Sequence, residues 1–119
     1  MTTGVAGDYI EDILNALLDI QDFIAEYSYE QFVNDRKTQY AVIRAIEIIG
    51  EASKNLPLEI REKYRAVPWR DMATMRDRLI HGYFGVDLII LWDTAQQDIP
   101  LLSRFSNLSL VRLSNLPFK

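Results

Sequence analysis

The chain has 119 residues, 49% of them hydrophobic and 25% charged, which excludes a disordered chain and suits one domain. Cysteine is absent, which excludes disulfides, zinc–thiolate sites and thiol nucleophiles and fits a reducing cytoplasm. The net charge of −4 at pH 7 argues against a nucleic-acid binder, because neutralising phosphates requires clustered lysine and arginine.

Three helical segments are predicted in the first half of the chain. The first has apolar residues at three- and four-residue spacing, and Asp8 with Glu11 matches a capping box, so we expect this helix to begin at Asp8. A short helical turn over "YEQFVND" follows, and then a helix over "RKTQYAVIRAIEIIGEASKNL". This last helix contains Gly50, which is about 1 kcal/mol less favourable than alanine unless another backbone packs closely there. The apolar positions predicted to face inward are Ile10, Ile13, Leu14, Leu17, Ile20, Ile24, Val42, Ile43, Ile46, Ile49 and Ala52.

The central segment predicts a short helix, a break, and a second helix. The short helix begins at Pro57, and Pro68 suits the start of the next one, near Trp69. Gly82 predicts where that helix ends, because glycine adopts the left-handed conformation after a helix at little cost. His81 is therefore expected on its last turn.

The last predicted helix begins near Asp87 and runs through "LIILWDTAQQDIP", with a kink or restart at Pro100, because proline has no amide hydrogen to donate. Nothing predicts paired strands, and residues 105–119 are expected to be partly frayed. The sequence predicts an all-α antiparallel bundle of four to five helices in one domain over residues 1–119, with a core at 8–104. No apolar run approaches the roughly 18 residues of a membrane span and the N-terminus lacks a signal-peptide pattern, so we expect a cytoplasmic protein without membrane contact.

Basic residues are concentrated in the central third of the chain, and the first 35 residues contain none. They are Lys54, Arg61, Lys63, Arg65, Arg70, Arg76 and Arg78. This asymmetry indicates that the middle of the chain faces an anionic ligand. The simpler interpretation is that these residues are solvated and pair with Glu59, Glu62 and Asp71, and charge alone favours it.

The stretch "MRDRLIHGYFGVD" contains the chain's one histidine, His81, five residues after Arg76 and two before Tyr83. Arginine binds phosphate in bidentate fashion and histidine moves protons near neutral pH, so the three side chains suit metal-free RNA phosphodiester chemistry. In one straight helix Arg76 and His81 lie about 140° apart, so their convergence requires the helix to end at His81 or a symmetric partner chain. In the simpler interpretation His81 meets free helix carbonyls, Arg76 pairs with Asp77 or a distant acid, and Tyr83 is core. Spacing alone favours that interpretation.

Three further features favour structural roles. Glu47 and Glu51 lie one helical turn apart, and we interpret them as partners for arginines and expect no metal site. Trp69 and Trp92 are expected to pack in the core or a dimer interface instead of stacking on bases. The segment 88–92 is apolar nearly all round its helix, which favours burial by the core and by a second subunit.

Arg76, Asp77, His81 and Tyr83 in "RDRLIHGY" resemble the signature of the HEPN superfamily: arginine, a polar residue, a gap of four to six residues, histidine, and the His-x-Tyr extension. The blocks "DRKTQYAVIRAIEIIGEASKNLP", "VPWRDMATMRDRLIHGYFGVD" and "LWDTAQQDIP" are similar to those of the HepT-like toxins of bacterial and archaeal toxin–antitoxin pairs, in the same order. The resemblance covers residues 8 to about 102.

The resemblance implies a helical bundle that forms a homodimer with the arginine and histidine of both chains around a shared cleft. It implies a metal-independent ribonuclease toxin without cofactor, with tRNA a candidate substrate. Arg76 would hold the scissile phosphate, His81 would transfer a proton, and Asp77 would orient one of them. The acidic net charge is compatible with RNA binding if the dimer gathers arginines around the cleft, or if RNA is held weakly and chosen by shape. The candidate RNA-binding residues are Arg65, Arg70 and Arg78.

The resemblance also implies a partner, a minimal nucleotidyltransferase antitoxin that attaches AMP to Tyr83. A bulky anion beside His81 would repel the RNA backbone. A second interpretation stays open: the chain is a non-catalytic helical binding partner of a nucleotidyltransferase. The complete Arg–polar–His–Tyr set favours the ribonuclease, because a scaffold does not require it.

Overall fold

The computed structural model describes residues 2–63, 65–79 and 85–104. Its elements are α1 (Thr2–Phe23), α2 (Tyr29–Val33), α3 (Arg36–Asn55), α4 (Leu58–Lys63), α5 (Trp69–Thr74), a 3₁₀ turn (Met75–Arg78), α6 (Leu88–Asp93) and a π turn (Thr94–Asp98). Residues 99–104 are again helical. In these ranges the nearest approach to a strand is a single bridge residue, Val86. The predicted all-α class is confirmed.

Side-chain caps determine where α2 and α3 begin. Ser28 and Gln31 form a reciprocal capping box at the start of α2. Asp35 caps α3 by accepting a hydrogen bond from the Thr38 amide at 3.1 Å, and the Tyr27 hydroxyl donates to the same carboxylate at 2.6 Å. These hydrogen bonds, that of Tyr27 first, lower the pKa of Asp35 from 3.8 to about 2.

Helices α1 and α3 pack against each other in antiparallel orientation. The bond from Tyr27 to Asp35 places the end of α1 beside the start of α3, while Tyr9 of α1 shares a groove with Asn55 at the end of α3. The facing surfaces are the predicted apolar stripes, with Ile10, Ile13, Leu17, Ile20, Val42, Ile46 and Ile49 fully buried. Each such side chain contributes about 1.5–3 kcal/mol on leaving water, so this pair is the centre of the core.

The predicted start of α1 at Asp8 is wrong. Residues 2–7 are already helical, so Asp8 lies inside α1 as an exposed side chain. The sequence before it contains no proline, and glycine at positions 4 and 7 weakens a helix without forbidding it. The capping-box pattern at Asp8 and Glu11 therefore marks two solvated residues on a continuing helix.

The single helix predicted from Trp69 to His81 is interrupted. The α-helical part ends at Thr74, and the chain then tightens into the 3₁₀ turn, where the Leu79 amide donates to the Arg76 carbonyl at 3.0 Å. Such tightening satisfies carbonyl groups that lack partners at the end of a helix. His81 and Gly82 lie outside the described residues, so the predicted end of this segment stays a prediction.

The C-terminal helix begins where the sequence predicted. Asp87 caps α6 by accepting hydrogen bonds from the amides of Ile89 and Ile90 at 2.9 and 3.1 Å. The helix continues through Pro100, without the restart expected there, and the irregularity of this segment is the π turn that ends two residues before the proline. No helix in the described ranges is long and apolar enough to cross a membrane. The tail 105–119 lies outside those ranges.

The tryptophans pack as predicted. Trp69 is buried, and the Trp92 ring lies 5.1 Å from that of Phe32 and 6.1 Å from that of Tyr29, joining α6 to α2. In the apolar segment 88–92, Leu91 is fully buried, whereas the side chain of Ile89 is 61% exposed. The single chain therefore buries one side of this segment, and burial by a second subunit stays a prediction.

Candidate functional site

Arg76 and Asp77, the first half of the predicted catalytic motif, lie on the 3₁₀ turn. Met75 and Leu79 are buried on one side of this turn, and Arg76, Asp77 and Arg78 are exposed on the other. The buried side chains anchor the turn to the core, so the charged residues face solvent from a fixed backbone. His81 and Tyr83, the second half of the motif, lie outside the described residues.

Close packing at Gly50 places this turn beside α3. A Cβ atom at position 50 would lie 3.3 Å from the carbonyl oxygen of Ala73 and 3.6 Å from that of Met72. Both carbonyl groups belong to α5, so the absence of a side chain lets the two helix backbones approach. The predicted reason for a glycine inside α3 is confirmed, and the contact fixes the position of Arg76 relative to α3.

Arg76 is paired with two carboxylates. Its Nε lies 3.3 Å from Glu47 Oε2 of α3, and its Nη1 lies 4.0 Å from Asp77 Oδ1. Pairing of Arg76 with Asp77 or a distant acid is what the simpler interpretation expected, so the ion pairs alone do not separate the two interpretations. The prediction of Glu47 as an arginine partner is confirmed. Within the described ranges Glu51 has no such partner.

The Arg76 side chain borders an open groove of about 320 Å³ between α3 and the segment from α5 to the 3₁₀ turn. We call it the Arg76 groove, and its lining residues are Glu47, Gly50, Glu51, Lys54, Ala73, Arg76 and Asp77. The Arg76 side chain is 47% exposed, so it is accessible to an anion. Within the described ranges, no three His, Cys, Asp or Glu side chains form a cluster that suits a metal ion.

A second groove holds two of the three predicted RNA-binding arginines. This groove, of about 350 Å³, lies between α4 and α5, and we call it the α4–α5 groove. Arg65 and Arg70 line it together with Arg61, which the sequence reasoning did not select, whereas Arg78 lies on the 3₁₀ turn and lines neither groove. The one signal that could have found Arg61 is its four-residue spacing from Arg65.

The arginines of the α4–α5 groove are not used in ion pairs with the described residues. The salt bridges expected for them with Glu59, Glu62 and Asp71 are absent, since among the described arginines only Arg76 has a described carboxylate within 4.0 Å. The Arg61 Nε is also buried without a hydrogen-bond acceptor among the described residues. Arg65 and Arg70 are thus exposed, as the simpler interpretation of the basic cluster expects, but the ion pairs that it predicts for these arginines are not found among the described residues.

Charge is divided unevenly along the sequence. Residues 1–35 contain eight acidic and no basic residues, whereas residues 36–119 contain thirteen basic and nine acidic residues, a net charge of +4. The acidic side chains of α1 are exposed; they are Asp8, Glu11, Asp12, Asp19 and Asp22. The acidic pI of the chain thus comes from its N-terminal quarter. Within the basic part, residues 36–119, the α4–α5 groove is lined by three basic and two acidic residues, and the Arg76 groove by two basic and three acidic residues.

Comparison with known proteins identifies the family. The family model described as "Ribonuclease HepT-like" matches residues 13–108. "Probable ribonuclease HepT" of Thermococcus cleftensis is 56% identical over 95 residues, which cover 80% of this chain and 86% of that protein. "Putative RNase MJ0125" of Methanocaldococcus jannaschii is 47% identical over 96 residues, which cover 81% and 83% of the two chains. No solved structure matches. The family match spans most of the fold and the grooves described above, and the chain belongs to the ribonuclease HepT-like family of the HEPN superfamily.

Proposed function

We propose that the chain is a metal-independent endoribonuclease that acts as the toxin of a toxin–antitoxin pair in the cytoplasm. The observation that carries the proposal is Arg76, half exposed beside an open groove, in a chain whose family consists of HepT-like ribonucleases. An arginine in this position can bind a phosphodiester through two N–H groups and stabilise the charge that develops on it.

The proposed reaction is attack by the RNA 2′-hydroxyl on the adjacent phosphorus. The bond from O2′ to phosphorus forms, the bond from phosphorus to O5′ breaks, and a 2′,3′-cyclic phosphate and a 5′-hydroxyl result. His81 takes the proton from O2′ and delivers a proton to O5′, so that the proton count of the step is unchanged. Arg76 neutralises the phosphorane oxygens, and Asp77 orients either Arg76 or His81. In this proposal Arg76 supplies the positive charge that stabilises the phosphorane, and His81 transfers the proton, so the reaction requires no metal ion.

RNA, with tRNA a candidate, is proposed to approach from the basic part of the molecule. Arg65 and Arg70 contact its backbone in the α4–α5 groove, and Arg78 contacts it from the 3₁₀ turn. The support is local: three arginines without a described ion pair, Arg61, Arg65 and Arg70, line that groove beside two acidic residues, Glu62 and Asp71, and residues 1–35 contain no basic residue. Because exposed charges are screened beyond about 10 Å at 0.1 M salt, this local distribution outweighs the net charge of the whole chain.

Two partners belong to the proposal. A second copy of the chain completes the site as a homodimer, which brings together the arginine and histidine of both chains. A minimal nucleotidyltransferase antitoxin silences the toxin by attaching AMP to Tyr83, because the added phosphate beside His81 repels the RNA backbone. The family match supports the ribonuclease part, and the two partners rest on the resemblance of the sequence motif.

Expression in a bacterial host tests the toxin. The wild-type chain is expected to arrest growth and His81→Ala is not, at equal amounts of folded protein. Co-expression with a nucleotidyltransferase encoded beside the gene should restore growth and add the mass of one AMP at Tyr83. Equal growth arrest by wild type and His81→Ala would contradict the assignment of catalysis to this motif.

A further inference from the structure

The ion pair between Glu47 and Arg76 connects two elements that are distant in sequence. Glu47 lies in the middle of α3, and Arg76 lies on the 3₁₀ turn after α5. The contact at Gly50, one helical turn after Glu47, holds these elements together. The pair is therefore set by the packing of the two helices and is not an accident of neighbouring residues in the chain.

The pair contributes little to folding, because both side chains reach solvent. The Arg76 side chain is 47% exposed and that of Glu47 is 30% exposed. Ion pairs with such exposure are screened by water, and holding two long side chains in one geometry opposes the gain. Removing Glu47 should thus leave the fold intact, and the consequence of the pair lies in the orientation of Arg76.

Glu47 approaches Arg76 at Nε, the inner end of the guanidinium group. The planar group carries one N–H at Nε and two at each Nη, so contact at Nε leaves the terminal nitrogens as the edge that can bind a phosphate in bidentate fashion. Asp77 is the more distant carboxylate, with Oδ1 4.0 Å from Nη1. Without Glu47, Arg76 would sample many rotamers and hold this edge toward the groove only part of the time.

We propose that Glu47 is a positioning residue for the reaction: it holds Arg76 at Nε so that both terminal nitrogens face the scissile phosphate of the RNA. The proposal rests on the ribonuclease function proposed above. Glu47 acts through Arg76 and carries no proton to or from the RNA. Its contribution should therefore disappear when Arg76 is absent, whereas that of a proton-transferring carboxylate would not.

Steady-state kinetics on an RNA that the wild type cleaves test the proposal. Glu47→Ala is expected to lower kcat about 10- to 100-fold, which is the effect of displacing a catalytic group. Glu47→Gln is expected to lower kcat less, because its amide oxygen can still face Nε. In the Arg76→Ala background Glu47→Ala should have no further effect. Glu11→Ala, the same change on the exposed face of α1, is the matched control and should cleave like the wild type.

Three results would overturn the proposal. The first is a Glu47→Ala variant with the kcat of the wild type, and the second is a double variant in which the losses from Glu47→Ala and Arg76→Ala multiply. The third is a Glu47→Gln variant whose pH–rate profile has lost its acidic limb, which would show that Glu47 itself transfers a proton. If the wild type cleaves no RNA, the proposed function fails, and ¹⁵N NMR still tests the positioning. Relaxation of the Arg76 Nε–H resonance should show a restricted N–H bond in the wild type and in Glu11→Ala, and a mobile one in Glu47→Ala. Equal mobility in all three would refute the positioning independently of activity.

Discussion

Substitution of Gly50 tests how the fold positions Arg76. Alanine would place a Cβ atom 3.3 Å from the Ala73 carbonyl oxygen, a contact that requires α5 to move by a few tenths of an ångström. Alanine has a helix propensity about 1 kcal/mol more favourable than that of glycine. This gain offsets the cost of the close contact, so Gly50→Ala should change the free energy of unfolding little. Gly50→Val adds two further carbon atoms toward α5 backbone that cannot rotate away. Overpacking of this kind costs about 1–3 kcal/mol, more than the ~0.4 kcal/mol that valine gains in helix propensity.

Urea denaturation of wild type, Gly50→Ala and Gly50→Val measures these differences. The matched control is Gly7→Val in α1, where an added Cβ meets no atom within 4 Å, so this variant should be as stable as the wild type or slightly more stable. Displacing α5 also moves Arg76 from Glu47, so folded Gly50→Val should lose ribonuclease activity at low urea. A Gly50→Val protein as stable and as active as Gly7→Val would refute close helix packing as the device that positions Arg76.

Two further predictions concern charge. Asp35→Asn should lower the free energy of unfolding at pH 7. Because the folded-state pKa of Asp35 is about 2, below the ordinary 3.8, its carboxylate stabilises the fold above pH ~4. This contribution is lost as the pH falls toward 2. Urea denaturation between pH 7 and 3 should show the difference from wild type shrinking. Arg70→Ala should weaken binding of a 2′-O-methylated RNA, which cannot be cleaved, and lower the slope of log K against log salt by about 1.

Each of these has a control and a contradicting result. A difference between Asp35→Asn and wild type that does not change between pH 7 and 3 would contradict a capping role that depends on the carboxylate charge. Arg104→Ala removes the same charge from an exposed residue that lines neither groove, and should bind RNA with the wild-type salt slope. Equal slopes for Arg70→Ala and Arg104→Ala would show that RNA does not contact the α4–α5 groove through Arg70.

Local sequence patterns predicted the helices well because apolar residues recur at helical spacing within each segment. The stripes of α1 and α3 and the place of Gly50 followed from spacing and from the low helix propensity of glycine. The start of α1 did not follow, because a capping-box pattern at Asp8 is indistinguishable from exposed acids on a continuing helix. The change from α5 to a 3₁₀ turn was also missed, since both helix types suit the same residues over one turn.

The candidate site was predicted in its composition more than in its geometry. The motif located Arg76 and Asp77, and the spacing on α3 suggested Glu47 as a partner of an arginine. No sequence pattern states which arginine it meets, because that pairing depends on how closely α3 and α5 pack at Gly50. Arg61 was predicted as part of the basic cluster but not as an RNA-binding residue, because no sequence pattern states that it lines one groove with Arg70.

RNA cleavage in EDTA by purified, unmodified protein tests the central claim most directly. Wild type, Arg76→Ala and His81→Ala, matched for folding by circular dichroism, are incubated with total RNA and with tRNA. We predict rapid cleavage by the wild type, with 2′,3′-cyclic phosphate ends, and at most residual cleavage by the two variants, which would place a metal-independent reaction on this motif. No cleavage by any of the three, with mass spectrometry showing Tyr83 unmodified, would contradict the ribonuclease and favour the non-catalytic partner of a nucleotidyltransferase.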